Sequence, residues 1–291
     1  MDRRPLRLIV NPSAGGGRAA KLLPQVESAL RARGLAFRVD RTHSLPHANE
    51  LAQAALAAGE TAVAMGGDGL IGAVAGELRG HDAVLGVIPG GRGNDFARKL
   101  GIGPDVERAC DVLANGSERV VDVADVGGRT YLGIASAGFD SDVNAIANAS
   151  KLPLGELVYL YAVLRALRGW RSAHWEVVVD GQAHGFDGYS VAVANSGVFG
   201  GGMYLVPDAA LDDGLLDVVL TGAAPKRRFL ANLPRVFKGT HVNEPMLTFL
   251  RGREIAFHAD RPFSAYADGD PIADLPVTVR VVPAALRVLA P

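Results

Sequence analysis

The sequence holds one cysteine, Cys110, among 291 residues, so the chain cannot form an internal disulfide bond. Cys110 lies in an apolar helical pattern that starts at Val106, which predicts a buried small side chain and not a reactive thiol. No apolar run reaches the ~18 residues that a transmembrane helix needs. The first residues lead into a short strand pattern and not into an apolar signal segment, so we expect a cytoplasmic location.

The chain also lacks an excess of either charge and any histidine pattern. The 30 lysines and arginines balance 31 aspartates and glutamates. This balance argues against nucleic acid as a partner, because nucleic-acid-binding proteins usually carry a basic surface. The seven histidines show no spacing typical of metal ligands. Glycine is abundant, at 36 of 291 residues, against about 7% on average, and its clustering in short motifs predicts shaped loops.

The first part of the chain alternates strand and helix patterns. Strand patterns occur at residues 6–10, 36–41, 61–65 and 83–88, and helical patterns at 18–33, 48–58, 70–78 and 95–100. Strands that alternate with helices predict βαβ units around a parallel sheet. Ligands bind such sheets beyond the carboxyl ends of the strands.

The pattern changes near residue 120. Strand patterns follow at residues 120–126, 130–135, 175–179, 189–194, 215–220, 254–258, 263–267 and 277–282, with only two helical patterns between them, at 154–170 and 225–238. The predicted fold class is therefore α/β plus β. An α/β domain with a parallel sheet is expected over residues 1–124, and a mostly β domain over residues 125–291. The pattern also allows the last strand to belong to the first domain.

Three glycine-rich loops, at residues 11–17, 66–69 and 90–95, each follow a predicted strand and should meet at one edge of the sheet. Glycine lets a backbone approach an anion closely and adopt positive φ. In the second loop, Asp68 suits a magnesium ion that rides on nucleotide phosphates. A purely structural interpretation stays open, in which the loops are tight turns and Asp68 and Asp95 cap the helices that follow them.

Two acid-rich segments lie in the second half of the chain. Residues 207–215 contain three carboxylates, including Asp213, and magnesium or calcium prefers such oxygen-rich loops. A solvated acidic turn explains the same spacing equally well. Residues 267–271 place Asp270 just after an Asp-Gly pair, which alone is typical of a hairpin turn.

Taken together, the loops resemble those of the diacylglycerol kinase catalytic family, which includes bacterial lipid kinases and sphingosine kinases. The matching elements cover essentially the whole chain in order: Asn11-Pro12-Ser13-Ala14-Gly15, Gly66-Gly67-Asp68-Gly69, Pro89-Gly90-Gly91, Asn94-Asp95-Phe96-Ala97, Asn195-Ser196, Gly200-Gly201-Gly202 and residues 207–217. NAD kinases and phosphofructokinases share the Gly-Gly-Asp-Gly element, whereas the Asn-Asp-Phe-Ala element and the long segment that starts at Pro207 are typical of lipid kinases.

The resemblance implies an NAD kinase-like two-domain fold, with ATP as the phosphoryl donor and Mg²⁺ as the metal cofactor. It implies a Rossmann-like nucleotide-binding domain over residues 1–124 and a mostly β, sandwich-like domain for lipid substrate and magnesium over residues 125–291. It implies nucleotide contacts at Asn11, Pro12, Ser13, Ala14, Gly15, Thr42, Gly66, Gly67, Asp68, Gly69, Leu70, Ile71, Gly72 and Arg92. It also implies a magnesium site that uses the Asp213 carboxylate and the backbone carbonyls of Ala210 and Leu215.

The catalytic residues implied by the resemblance are three aspartates. Asp68 and Asp95 join the magnesium–water network around the phosphates, and Asp270 stands where the family has the general-base Glu of an Asp-Gly-Glu turn. Asp270 is one methylene shorter than that Glu, which shortens its reach by about 1.5 Å. Leu70 and Arg92 stand where Thr is usual. Leu70 therefore lacks a hydroxyl contact to phosphate, while Arg92 can still grip phosphate through its guanidinium.

The function expected from this resemblance is that of an ATP-dependent lipid kinase, which phosphorylates a hydroxyl of diacylglycerol or a related lipid. The segment 225–240 is basic and apolar without an acid, so it suits peripheral contact with an anionic membrane at the inner face. A core-packed helix with a solvated basic face is the competing interpretation.

Two other functions stay open on the sequence alone. One is an NAD kinase-like phosphotransferase, since the Gly-Gly-Asp-Gly element is shared. The other is a catalytically weak regulator that binds nucleotide or lipid, which would explain the departures at Leu70, Arg92 and Asp270. The sequence leaves the oligomeric state open, with a dimer among the options.

Overall fold

The computed structural model describes residues 4–150 and 157–291, which fall into two compact units. The first unit contains the chain up to Val123 with the segments Thr130–Leu132 and Pro283–Pro291. The second unit contains Ala124–Arg129 and Gly133–Val282. The C-terminal segment thus belongs to the same unit as the N-terminal part of the chain.

The first unit is built on a parallel sheet. Its strands are β1 (Leu6–Val10), β2 (Phe37–Arg41), β3 (Thr61–Gly66) and β4 (Val84–Pro89), in the order β4-β3-β1-β2. Its helices are α1 (Ala14–Ala32), α2 (Leu45–Ala57), α3 (Asp68–Leu78), α4 (Asp95–Lys99) and α5 (Val106–Asn115). Strands β5 (Ser117–Val126) and β6 (Arg129–Tyr131) follow and pair with each other. The predicted alternation of strands and helices is confirmed.

The sequence explains why this sheet is parallel and buried. Every residue of β1, β3 and β4 is buried, as the continuous apolar runs of central parallel strands require. Helix α2 begins three residues before the predicted start, because the Ser44 hydroxyl caps it by accepting a hydrogen bond from the His47 N–H. Regular helical geometry in α1 begins only at Arg18, as predicted, because Gly15, Gly16 and Gly17 all have positive φ.

The second unit is built on antiparallel strands. Its strands are β7 (Ile134–Gly138), β8 (Ala173–Val179), β9 (Gln182–Ala194), β10 (Val198–Phe199), β11 (Met203–Tyr204), β12 (Leu216–Gly222), β13 (Leu247–Gly252), β14 (Glu254–Ala259), β15 (Ser264–Ala267), β16 (Asp270–Asp274) and β17 (Val277–Ala290). The sheet order is β16-β15-β7-β9-β8-β14-β17, and β12 pairs with β9 and β13. The end of β17 lies in the first unit and pairs in parallel with β4.

The expectation of only two helices in this half of the chain is wrong. The described residues contain three, α6 (Phe139–Ala149), α7 (Leu157–Gly169) and α8 (Lys226–Phe237). Helix α6 begins with alternating Asp and Ser residues, which favour turns and caps. Burial of Phe139, Val143 and Ala147 on one face nevertheless fixes it as a helix. The predicted start of the next helix at residue 154 lies outside the described residues.

An aromatic cluster forms the core beneath the helices of the second unit. Phe139, Trp170, Tyr189 and Phe229 meet there, with ring centroids 5.3 Å apart for Phe139 and Trp170 and 4.6 Å apart for Tyr189 and Phe229. Apolar side chains of α6, α7 and α8 pack around these rings. Within the described ranges, no helix has the length and apolarity to cross a bilayer.

Cys110 is fully buried on α5, as the sequence predicts. Burial raises the pKa of its thiol to about 11. The thiolate, which is the nucleophilic form, is therefore scarce at neutral pH, and the residue behaves as a small hydrophobic side chain.

Candidate active site

The three glycine loops of the first unit converge at the carboxyl ends of their strands. The Asn11 N–H donates to the Met65 carbonyl at 3.0 Å, and the Gly90 N–H donates to the Gly66 carbonyl at 2.8 Å. A Cβ added to Gly15 would lie only 2.6 Å from the Gly90 carbonyl oxygen. The loops after β1, β3 and β4 thus touch one another through their backbones.

Glycine is required where these loops touch. A Cβ on Gly91 would lie 2.4 Å from the Gly67 Cα and 3.1 Å from the Gly67 nitrogen. Both of these atoms belong to the backbone, so no side-chain movement can relieve the clash. Gly15 adds a conformational reason, since its φ of 61° lies in the left-handed region.

Two asparagines set the shape of the outer loops. The Asn11 Oδ1 accepts hydrogen bonds from the Ser13 N–H at 3.1 Å and from the Ser13 hydroxyl at 2.8 Å. Asn94 adopts a φ of 52°, and its side chain accepts from the Gly91 N–H at 2.8 Å and donates to the Gly91 carbonyl at 3.0 Å. Each loop is therefore fixed by an amide side chain as well as by its glycines.

Asp68 is the first residue of α3, yet its carboxylate does not cap that helix. The N-cap of α3 is Gly67, and the Asp68 Oδ1 accepts a hydrogen bond from the Phe96 N–H at 3.1 Å, at the start of α4. Burial raises the pKa of the Asp68 carboxyl, and backbone N–H groups, first that of Phe96, lower it. The expectation that Asp68 caps its own helix is wrong, because its carboxylate satisfies the next helix along the chain.

Asp95 lies beside Asp68. It is the first residue of α4 and is buried, and the N-cap of that helix is Asn94, so the expected capping role of Asp95 is also wrong. A Cβ on Gly93 would lie 2.9 Å from the Asp95 Oδ2 and 3.0 Å from the Asp68 Oδ2. One oxygen of each carboxylate therefore flanks the same backbone position.

Other predicted nucleotide residues of the first unit have structural contacts of their own. Leu70 is 3% exposed, and its Cδ2 would lie 2.7 Å from a Cβ on Gly66, so its side chain packs against the end of β3. Ile71 and Gly72 are buried in α3. The Thr42 hydroxyl donates to the Ser44 carbonyl at 2.7 Å, in the turn before α2.

Pro12, Ala14 and Gly69 lie in the loops already described, and Arg92 is exposed between Gly91 and Gly93. The structure therefore brings the predicted residues of the first and second glycine loops together with those of the third. The remaining predicted residues, Asp213 and Asp270 among them, belong to the second unit.

The predicted metal ligand Asp213 lies in the loop before β12. Its Oδ1 accepts a hydrogen bond from the Leu215 N–H at 3.0 Å, and its Oδ2 pairs with the Arg251 guanidinium. The Arg251 Nε also lies 3.0 Å from the Asp217 Oδ1. The Asp213 carboxylate thus has a cationic partner in this structure, the Arg251 guanidinium.

The donor chemistry of this loop fits a hard metal ion. Magnesium prefers carboxylate and carbonyl oxygens, and a carboxylate that accepts one N–H retains further lone pairs. Among the described residues, no three His, Cys, Asp or Glu side chains form a metal-binding group. A site on Asp213 would therefore depend on carbonyl oxygens such as those of Ala210 and Leu215.

Asp270 is the first residue of β16, directly after the turn of the β15–β16 hairpin. Burial raises the pKa of its carboxyl, and the charge of Arg129 lowers it. The residue itself reaches solvent, so the carboxylate is accessible.

Sequence reasoning missed the partners of these acids. Arg251 stands far along the chain from Asp213, and Arg129 stands far from Asp270, so no local motif marks either arginine. For the contacts between the loops, the glycine motifs were a usable signal, since motifs rich in glycine often mark close backbone approach.

Two family models match the chain. The diacylglycerol kinase catalytic domain matches residues 5–126, and the YegS C-terminal NAD kinase beta sandwich-like domain matches residues 133–290. A crystal structure of a diacylglycerol kinase from Bacillus anthracis strain Sterne has a TM-score of 0.78 at 20% identity, and the match covers 100% of this chain and 98% of that one. The fold is thus the NAD kinase-like two-domain fold of lipid kinases, as the sequence predicted.

Named relatives align with nearly the whole chain. A diacylglycerol kinase of Mycobacterium tuberculosis is 34% identical, over 97% of this chain and 94% of that protein. A diacylglycerol kinase of Bacillus subtilis is 30% identical, over 91% of this chain and 89% of that protein. The chain belongs to the diacylglycerol kinase catalytic family, and it is a kinase.

The contact between Gly91 and Gly67 yields a first prediction. The substitution Gly91→Ala should lower the free energy of unfolding by about 1–3 kcal/mol, because two backbones must separate to admit one methyl group. Chemical denaturation measures the change. Gly169→Ala is the matched control, because Gly169 ends α7 with open space around its Cα, and a change within about 0.5 kcal/mol is expected there. Equal losses in both variants would contradict the close-contact argument.

Proposed function

We propose that the protein transfers the γ-phosphoryl group of ATP to a hydroxyl of diacylglycerol or a closely related lipid. The observation that carries this proposal is the buried Asp68 carboxylate, held between converging glycine loops in a member of a kinase family. The relatives named diacylglycerol kinase, which align with more than nine-tenths of the chain, support the lipid acceptor.

The nucleotide would lie against the glycine loops of the first unit. Backbone N–H groups at such loops and at the start of a helix attract phosphate oxygens. On this proposal, the contacts come from residues 11–15, from Thr42, from residues 66–72 and from Arg92. Leu70 supplies no hydroxyl, so the backbone and the exposed Arg92 guanidinium would carry the phosphate contacts.

Magnesium would neutralise charge on the phosphates during transfer. Asp213, with the carbonyls of Ala210 and Leu215, would hold a metal ion in the second unit, where Arg251 now balances the carboxylate. In the first unit, Asp68 and Asp95 would take part in the magnesium–water network of the bound nucleotide, through the two oxygens that flank Gly93.

The chain's own catalytic step would be the removal of a proton. The oxygen of the lipid hydroxyl attacks the γ-phosphorus, the bond to the β-phosphate oxygen breaks, and ADP leaves. The hydroxyl proton passes to the Asp270 carboxylate. Because the transition state is loose, most of the rate enhancement comes from positioning and charge neutralisation, and the base acts late.

The substitution Asp68→Asn should abolish lipid phosphorylation, with a loss of at least about 10²-fold in kcat. The amide removes the negative charge while it keeps the shape of the side chain. Transfer of labelled phosphate from ATP to diacylglycerol, with and without magnesium, measures the effect.

Asp105→Asn is the matched control for this change. Asp105 also accepts a backbone N–H, that of Arg108 at 3.2 Å, at the start of α5. Asn caps a helix about as well as Asp, so activity should be unchanged. Full activity of the Asp68→Asn variant would contradict the proposed role of Asp68. If the unmodified protein phosphorylates NAD but not lipid, the NAD kinase alternative is correct.

We also propose how the protein reaches its lipid. Three exposed apolar residues and three exposed arginines lie on α7 and α8, and we call this set the α7–α8 surface: Leu160, Leu164, Phe237, Arg165, Arg168 and Arg227. The apolar side chains are 46%, 51% and 48% exposed, respectively. Neither helix contains an acid. The two helices are joined, since the Lys226 ammonium donates to the Arg168 carbonyl at 3.2 Å.

Only part of the segment 225–240 is available for contact with a membrane. Phe229, Leu230 and Leu233 pack against the aromatic core, so most of the apolar face of α8 is not free to enter a membrane. Arg228 and Arg235 both pair with Glu244. The contact with anionic lipid would therefore depend mainly on the two exposed leucines of α7 and on the exposed Arg165, Arg168 and Arg227.

The double substitution Arg165→Gln and Arg168→Gln should weaken binding to vesicles that contain phosphatidylglycerol by roughly 30-fold, at about 1 kcal/mol per arginine. Co-sedimentation measures the partition. The double variant Arg253→Gln and Arg280→Gln removes one exposed arginine from the turn between β13 and β14 and one from β17, and it should bind like the unmodified protein. If vesicles of pure phosphatidylcholine bind equally well, the α7–α8 surface is not an anionic docking surface.

A further inference from the structure

Asp270 takes its direction from a tight hairpin turn. The two residues between β15 and β16, Asp268 and Gly269, have φ values of 52° and 92°. Two successive positive φ values are what a two-residue type I′ turn requires. Asp270 pairs with Ala267 across the hairpin, so the turn fixes where its side chain leaves the backbone.

The turn is anchored through the peptide of Gly133. The Gly133 N–H donates to the Asp268 Oδ1 at 2.9 Å, and the Asp268 N–H donates to the Ile134 carbonyl at 3.3 Å. The Gly133 carbonyl accepts from the N–H groups of Asn195 and Ser196, at 2.9 and 3.2 Å. The hairpin tip is thereby tied to the end of the long strand β9.

Two side chains hold the backbone on either side of Asp270. The Asn148 Nδ2, on α6, donates to the Gly269 carbonyl at 2.9 Å. The Arg129 Nη1, at the start of β6, donates to the Pro271 carbonyl at 3.2 Å and to the Ile272 carbonyl at 2.7 Å. The backbone is therefore held at Gly269, just before Asp270, and at Pro271 and Ile272, just after it, by side chains of two different elements.

Arg129 also acts on the carboxylate through its charge, which lowers the pKa that burial raises. The other charged groups around the hairpin have partners of their own. Asp268 accepts the Gly133 N–H, and Asp274 accepts the Ser264 hydroxyl at 2.6 Å. On α6, Asp140 and Asp142 stand at the N-terminal end, away from Asn148.

We propose that Arg129 and Asn148 are positioning residues for Asp270. They hold the backbone of the hairpin so that the short aspartate reaches the substrate hydroxyl, and the nearby positive charge of Arg129 favours the ionised carboxylate. The inference rests on the proposed function, in which Asp270 is the general base. Because Asp reaches about 1.5 Å less far than Glu, its backbone must be held more closely, since misplacements of ~1 Å can cost about 10²-fold in rate.

The pH dependence of kcat/KM for diacylglycerol phosphorylation separates the two roles. A base acts in its ionised form, so the acid limb follows its pKa. Arg129→Gln removes the charge that lowers this pKa, so the acid limb should move to higher pH and kcat should fall. Arg129→Lys keeps the charge but loses the hydrogen bonds of the guanidinium to the Pro271 and Ile272 carbonyls. In this variant kcat should therefore fall, while the pH of the acid limb stays unchanged. Asn148→Ala should lower kcat by roughly 10- to 100-fold with the limb in place.

Arg280→Gln is the matched control, because it removes one exposed arginine whose partner is Glu254, outside the hairpin. It should leave both kcat and the acid limb unchanged. Thermal unfolding and ATP binding of each variant, measured in parallel, show that the fold and the nucleotide site persist.

Asp270→Asn separates failure of this inference from failure of the proposed function. If Asp270→Asn retains full activity, the general-base role is wrong whatever Arg129 does. If Asp270→Asn is inactive while Arg129→Gln and Asn148→Ala match the unmodified protein, the positioning role is overturned. A fall in kcat for Arg129→Gln without movement of its acid limb also overturns the charge role.

Discussion

The candidate site of the first unit depends on the contact between the backbones of Gly67 and Gly91. The contact is possible because Gly91 has no side chain, since a Cβ on Gly91 would lie 2.4 Å from the Gly67 Cα. It brings the start of α3 to the start of α4, and so brings Asp68 to the N–H of Phe96. A buried carboxylate without hydrogen-bond partners would cost free energy. The glycine contact and the buried carboxylate therefore stabilise one arrangement together.

The sequence predicts the first unit well because each buried parallel strand is a continuous apolar run. Strands β1, β3 and β4 are buried at every residue, and such runs are visible without a structure. It predicts the second unit less well, because helices there bury narrow faces. Helix α6 buries Phe139, Val143 and Ala147, while the aspartates between them favour a loop interpretation.

The location of the candidate site residues was predictable, but their partners were not. Glycine motifs are local, so the loops that carry Asp68 and Asp95 could be found by reading along the chain. The contacts that orient the acids are distant: 28 residues separate Asp68 from Phe96, 38 separate Asp213 from Arg251, and 142 separate Arg129 from Pro271. Pairings at such separations are set by the packing of whole elements, which no local pattern encodes.

The departures from the family pattern look different once burial is known. Leu70 is almost fully buried against Gly66, so a hydroxyl there would remove apolar contacts from the end of β3. Burial of a leucine side chain contributes about 1.5–3 kcal/mol, which stabilises the strand end that places Asp68. On the proposed function, the phosphate contact that a Thr would supply is absent at Leu70, whose buried side chain instead packs against the end of the strand that precedes Asp68. Asp270 is likewise a departure with structural support. Its side chain is shorter than that of Glu, and Asn148 and Arg129 hold the backbone on either side of it. On the proposed function, positioning supplies most of the rate enhancement, so a backbone held by packing at Leu70 and by hydrogen bonds around Asp270 would favour phosphoryl transfer.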